Sequence, residues 1–216
     1  MRMLIDHFGN QVEDDFVPQL PEGYDNLTYQ RDAVVQGYDI MMQQGGCFIA
    51  DVVGLGKTVV AAMIAQRFIA ANGDNTRILV IFPPAVKSNW EDTFADFGIK
   101  NKYSRFVTNG SLDKIIEGDG YDEKEYYDLI IVDEAHNFRH DNNDNYDLLQ
   151  RICKSARCNK GNVKGGKRVL LLSATPLNNT PEDIKNQLLL FQDTARCTLD
   201  GVGNIADTFA PWIKEF

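Results

Sequence analysis

The chain has 216 residues, 44% hydrophobic and 25% charged, which suits one α/β domain with a full core and leaves too little for a two-lobed enzyme. Its net charge of −9 implies no general attraction to nucleic acid or to an anionic membrane. No apolar run approaches a membrane span and residues 1–6 lack a signal-peptide core, so a cytoplasmic protein is expected. Cys47, Cys153, Cys158 and Cys197 show no zinc spacing, and His7, His136 and His140 form no helical ligand pair. Free thiols are the expectation, with a metal site as the alternative.

Residues 1–24 read as a lead-in, either extended over the domain surface or disordered, with acids at 13–15 and prolines at 18 and 21. A helix is expected over 28–44 with Thr28 as its cap, because Ala33, Val34, Gly37, Ile40 and Met41 fall on one face. Gln30 lies in its first turn. A carboxamide can both donate to and accept from the edge of an adenine, although an isolated glutamine is more often a solvated helix residue.

The apolar run 47–50 reads as a buried strand, and 58–71 as a helix closed by Asn72 and Gly73. Between them runs Ala50-Asp51-Val52-Val53-Gly54-Leu55-Gly56-Lys57-Thr58. Strand, glycine turn and helix form the layout that cradles a polyphosphate: glycines let backbone N–H groups approach, and the positive end of a helix points inward. Lys57 supplies a charge for the β- and γ-phosphates, and the Thr58 hydroxyl suits Mg²⁺. The competing reading is a plain glycine turn capping a core helix.

A strand over 77–82 ends at Pro83-Pro84, and a helix follows in which Trp90, Phe94 and Phe97 recur at core spacing, with a base-stacking platform as the alternative. A weaker strand over 103–107, a short helix over 111–117 and a loop over 118–125 come next. The strand 129–132 then empties into Asp133-Glu134-Ala135-His136. In a nucleotide site the first acid can hold Mg²⁺ through its water shell while the second orients or deprotonates the attacking water. Alone, such a pair is often surface.

A helix is expected over 143–158. It opens a stretch, 151–168, with seven basic residues and no acid, read as a solvated loop or a nucleic-acid contact. The strand 168–172 ends at Ser173-Ala174-Thr175-Pro176, whose hydroxyls could link nucleotide state to a moving partner. Helices over 181–191 and 205–216 close the chain. Strands alternating with helices imply an α/β fold, a mostly parallel sheet with helices on both faces, and the three chemical motifs, each following a strand, should meet at one rim.

Ala-Asp-x-x-Gly-Leu-Gly-Lys-Thr at 50–58, Asp-Glu-Ala-His at 133–136 and Leu-Leu-Ser-Ala-Thr-Pro-Leu-Asn-Asn at 171–179 together resemble motifs I, II and III of the superfamily 2 helicases and translocases, in particular the Swi/Snf-like branch. Asn89-Trp90-Glu91 after the proline strand end is similar to its motif Ia region, and Tyr29-Gln30 to its adenine-reading element. The resemblance covers residues 25–192. It implies a RecA-like, P-loop ATP-binding lobe at 25–195 with a C-terminal helical extension at 196–216, working with ATP and Mg²⁺. It also implies the roles. Gln30, Gly54, Leu55, Gly56, Lys57 and Thr58 would bind the nucleotide, and Thr58 and Asp133 the metal. Glu134, with Asp133 and Lys57, would carry catalysis, while His136, Ser173 and Thr175 would couple it to movement. The track would be nucleic acid, double-stranded DNA, and the partner a second RecA-like lobe bringing arginines to the γ-phosphate. The sequence stops after the first lobe, so a fragment of a longer protein, nearly inactive by itself, is expected. A stand-alone nucleotide-binding or scaffolding module is the runner-up, and a small-molecule kinase is the third reading.

Overall fold

The fold is built on central strands whose residues are apolar at nearly every position, which is what a parallel sheet covered on both faces requires. The computed structural model describes residues 19–50, 56–100, 102–117, 124–139, 144–158, 161–173 and 180–215. Residues 1–18 of the expected lead-in, and Gly54, Leu55 and Thr175, lie outside the described residues.

Five strands, β1 (Gly46–Ala50), β2 (Ile78–Phe82), β3 (Ser104–Thr108), β4 (Leu129–Val132) and β5 (Arg168–Ser173), form one sheet in the order β1-β5-β4-β2-β3. Every pairing is parallel. Side chains alternate across it as the two-residue period demands. Ile78, Val80 and Phe82 enter one core with Leu129, Ile131, Leu170 and Leu172, while Leu79 and Ile81 enter the other with Ile130, Val132, Val169 and Leu171. The first core is roofed by helices α1 (Thr28–Gln44), α2 (Lys57–Asn72) and α3 (Lys87–Asp96). The second is roofed by α4 (Asp113–Glu117) and α5 (Asp144–Lys154), with Leu190 just beyond α6 (Pro181–Leu188); α7 (Ile205–Glu215) packs on α6. Trp90, Phe94 and Phe97 are all buried, so the core reading of that triplet holds.

Several boundaries differ from the sequence reading for local reasons. Thr28 does not cap α1. Leu27 takes that place in an extended conformation, no side chain caps it, and its carbonyl accepts from the N–H groups of Gln30 and Arg31. The helix expected to run to 158 stops at Lys154, where the Ser155 hydroxyl donates back to the Ile152 carbonyl at 2.9 Å. The helix expected to reach 191 ends at Leu188, with the next residues in tight turns. Its start is firmer: Thr180 and Asp183 form a reciprocal capping box over Pro181.

The basic stretch 151–168 is corrected in part: Arg151, Lys154 and Lys164 are exposed, but three of its cations turn inward at the edge of the sheet where strands begin. The Arg157 guanidinium pairs with Asp128, both side chains at most 4% exposed, and donates to Asn72 Oδ1 at 2.7 Å. The Lys167 ammonium donates to the carbonyls of Lys124 and Ile152 and to the Ser155 hydroxyl. Arg168 donates to the carbonyls of Gly166 and Lys164 at 2.7 and 3.2 Å. These are structural cations, neither solvated nor presented to a ligand.

Candidate functional site

Because all five strands run the same way, their carboxyl ends share one rim, and the register says how level they are. Ala50 of β1 lies opposite Ser173 of β5, and Val132 of β4 pairs both Leu171 and Ile81. The N–H of Asp133 continues the ladder to the Ile81 carbonyl at 2.8 Å, so its carboxylate stands one residue beyond the sheet. Lys57 and Thr58 open α2, the helix that follows β1. The strand ends carrying the three motifs therefore lie at one edge of the sheet.

On the phosphate side, Gly56 has φ 81° and ψ 40°, the left-handed region in which a β-carbon is strained. The space is closed as well: a β-carbon there would come within 2.6 Å of the Gln30 side-chain nitrogen. Gln30 is thus no solvated helix residue. It is 6% exposed and its amide lies against the turn that opens α2. The Gly56 carbonyl accepts the Val60 N–H at 3.0 Å, which leaves the first N–H groups of α2 without intrahelical partners and pointing out of the helix start.

On the acid side, Asp133 is 9% exposed and both its oxygens are held. The Trp90 indole N–H donates to Oδ2 and the Glu134 backbone N–H to Oδ1, each at 2.9 Å. One residue before Trp90, the Asn89 amide donates to the Thr58 hydroxyl oxygen at 3.3 Å. The start of α3 therefore touches Thr58 and Asp133 together. Glu134 has φ 50°, the one positive value at a non-glycine residue among those described, and such a conformation persists only where the surroundings enforce it. The enforcement comes from α6: Gln187 donates to the Ala135 carbonyl at 3.0 Å and Asn186 to the Arg139 carbonyl at 2.9 Å, gripping both ends of the turn after Glu134.

Three buried polar atoms at this rim have no hydrogen-bond partner among the described residues: Glu134 Oε2, His136 Nδ1 and Ser173 Oγ. The first two are 3.1 Å apart, an ion-pair distance without hydrogen-bond alignment. Buried polar atoms are rarely left unmatched, and among those of the described residues these three lie at or just beyond the carboxyl ends of β4 and β5. The oxygen donors Asp133 and Thr58 fit a hard divalent cation, and Lys57 at a helix start fits a polyphosphate. All four cysteines are free thiols, and burial pushes Cys47 and Cys153 up to about 12.

Sequence reading missed Gln187 and Asn186 as contributors; it named Asn89 and Trp90 only as similar to the motif Ia region, and read Trp90 as core or a base-stacking platform, without their contacts to Thr58 and Asp133. A signal existed for Trp90. A buried indole needs an acceptor for its N–H, and a tryptophan on a helix after one strand can reach the acid ending the neighbouring strand.

No family model matches the chain. It is 29% identical over 162 residues to the uncharacterized ATP-dependent helicase YqhH of Bacillus subtilis, covering 68% of this chain and 26% of that protein. It is 28% identical over 181 residues to the SWI/SNF-related matrix-associated actin-dependent regulator of chromatin subfamily A-like protein 1 of Xenopus tropicalis, covering 77% of this chain and 17% of that one. The solved Sulfolobus solfataricus SWI2/SNF2 ATPase core in complex with dsDNA superimposes with a TM-score of 0.68 at 17% identity, over 92% of this chain and 41% of that one. The chain thus spans about a quarter or less of the curated relatives it matches. No helix among the described residues is long and apolar enough to cross a membrane. By sequence this chain is a relative of the SWI/SNF-related and ATP-dependent helicases, and its fold is that of part of the SWI2/SNF2 ATPase core.

Proposed function

We propose that this chain is the ATP-binding amino-terminal lobe, residues 25–195, of a nucleic-acid-dependent ATPase that travels on double-stranded DNA. The observation that carries the reading is the meeting of Thr58 and Asp133, 75 positions apart in the chain, at the start of one helix, through Asn89 and Trp90. The parallel sheet brings both residues to one rim, and the start of α3 then ties the helix-start hydroxyl and the strand-end acid to neighbouring side chains. A magnesium nucleotide needs both groups there.

In this reading Lys57 and the helix start hold the phosphates, with Gly54, Leu55 and Gly56 letting the backbone approach, and Gln30 reads the adenine. Thr58 and Asp133 hold Mg²⁺, which neutralises phosphate charge when bound. Glu134 orients the attacking water and takes its proton. Its Oε2, 3.1 Å from His136 Nδ1 and without an aligned hydrogen bond among the described residues, is the acceptor for such a partner. His136, Ser173 and Thr175 relay nucleotide state to the track. A second RecA-like lobe supplies the arginine, a contribution of about 10³–10⁵ in rate in related phosphoryl transfer, so this chain alone binds ATP weakly and barely hydrolyses it.

The test is the ATPase rate of the longer protein with and without duplex DNA, then with Lys57→Ala. Stimulation by DNA and its loss in the variant are expected. A rate that ignores both overturns the proposal.

A further inference from the structure

We propose that Asn89 and Trp90 are positioning residues for the divalent cation: one turn of α3 orients both the Thr58 hydroxyl and the Asp133 carboxylate. The proposal rests on the nucleotide reading above and adds to it two residues outside the phosphate loop and the acidic strand end.

An aspartate side chain has two rotatable bonds, and a carboxylate that spins presents no fixed lone pair to an ion. In Asp133 that rotation is stopped from both sides, by the indole N–H on Oδ2 and by the Glu134 N–H on Oδ1. Each oxygen keeps a further lone pair, so the clamp leaves acceptor capacity for the ion's water shell. The indole suits this task because it donates one hydrogen bond, accepts none and is not ionised. Trp90 is itself fully buried and edge-on to Phe94 with ring centroids 5.7 Å apart. Hydrogen bonds that orient a metal ligand are part of the metal's affinity.

Asn89 serves the other ligand. Its amide nitrogen stands 3.3 Å from the Thr58 oxygen, and the Thr93 hydroxyl donates to the Asn89 carbonyl at 2.7 Å. When Thr58 gives a lone pair to a cation, its hydroxyl proton must point outward to an acceptor. A carboxamide provides either face by turning over, so Asn89 can donate to the empty hydroxyl and accept from the loaded one. Asn89 and Trp90 are consecutive, so any shift of α3 moves the contacts to both ligands together.

The test reads the metal rather than turnover. Mn²⁺ is titrated as the paramagnetic probe into the longer protein with ADP, and free ion is counted by electron paramagnetic resonance against the same titration of ADP without protein. Trp90→Phe keeps the buried ring and deletes only the N–H. It is expected to weaken Mn²⁺ by about tenfold, the lower end of what outer partners of a metal ligand contribute, while ADP affinity in EDTA stays at the wild-type value. Asn89→Ala, at an exposed position that cannot disturb the core, is expected to weaken Mn²⁺ in the same direction by a smaller factor, and it decides the matter if Trp90→Phe fails to fold. Wild-type Mn²⁺ affinity in both variants overturns the positioning role and leaves the nucleotide site standing. A wild-type protein that takes up no more Mn²⁺ than ADP alone overturns both.

Discussion

Lys167 is a buried cation whose surroundings set a measurable pH effect. Burial pulls its ammonium from the ordinary 10.5 down to about 8, partly opposed by the neighbouring Cys153, Glu125 and Cys158. Three acceptors surround it, and a neutral amine has only two N–H groups, so one acceptor goes unpaired on deprotonation. Since the folded value lies below the unfolded one, the unfolded chain binds more protons between pH 8 and 10.5, and stability rises with pH across that window. Below it the full penalty applies, roughly 3 kcal/mol from a gap of this size. Integrating from pH 7 to pH 9 returns about 1 kcal/mol of it. Cys47 and Cys153 act in the opposite sense, because burial raises both from 9.0 to about 12 and stability then falls above pH 9. The clean measure is therefore a difference: urea unfolding of wild type and Lys167→Met at both pH values, where the gap between them should shift by about 1 kcal/mol in favour of wild type at pH 9. An unchanged gap would refute the buried placement. In the longer protein, a role in gripping DNA would instead show as a lower salt slope for duplex binding in the variant, and none is expected.

Other substitutions test the rim. Gly56→Ala forces a side chain into the left-handed region and against Gln30, so a loss of about 1–2 kcal/mol in stability and weaker ADP binding are expected by calorimetry; an unchanged melting temperature would contradict the geometry. Gln30→Ala should cost ATP more than GTP in competition on the longer protein, by about 1–3 kcal/mol if the amide pairs with the adenine edge, and equal losses would remove it from base reading. Gln187→Leu strands the Ala135 carbonyl, at a cost of about 1–3 kcal/mol in chemical denaturation, and it should slow turnover in the longer protein more than nucleotide binding. Stability equal to wild type would mean that α6 does not hold the Glu134 turn.

The sheet was legible because a parallel strand covered on both faces must be written as an unbroken apolar run, and β2, β4 and β5 are such runs. The shared rim followed from the same fact, since each motif comes directly after a strand. What could not be read was pairing across distance, such as Trp90 with Asp133, because periodicity shows which face a side chain occupies and not what it meets there. The basic stretch is different, for its placement was available from topology. It runs from the end of a helix to the start of a strand, and in a parallel α/β sheet that junction lies on the edge opposite the ligand. Helix carboxyl ends gather there, with their last carbonyls unpaired and their dipoles negative. Lys167 meets one of them, the Ile152 carbonyl in the last turn of α5, at 2.8 Å. Cations belong at that edge for the same reason that a polyphosphate belongs at the other, where the helices begin. Composition counted seven like charges and left open a solvated loop or a nucleic-acid contact; the position of Arg157, Lys167 and Arg168 between the end of α5 and the start of β5 places those three at the edge where the strands begin.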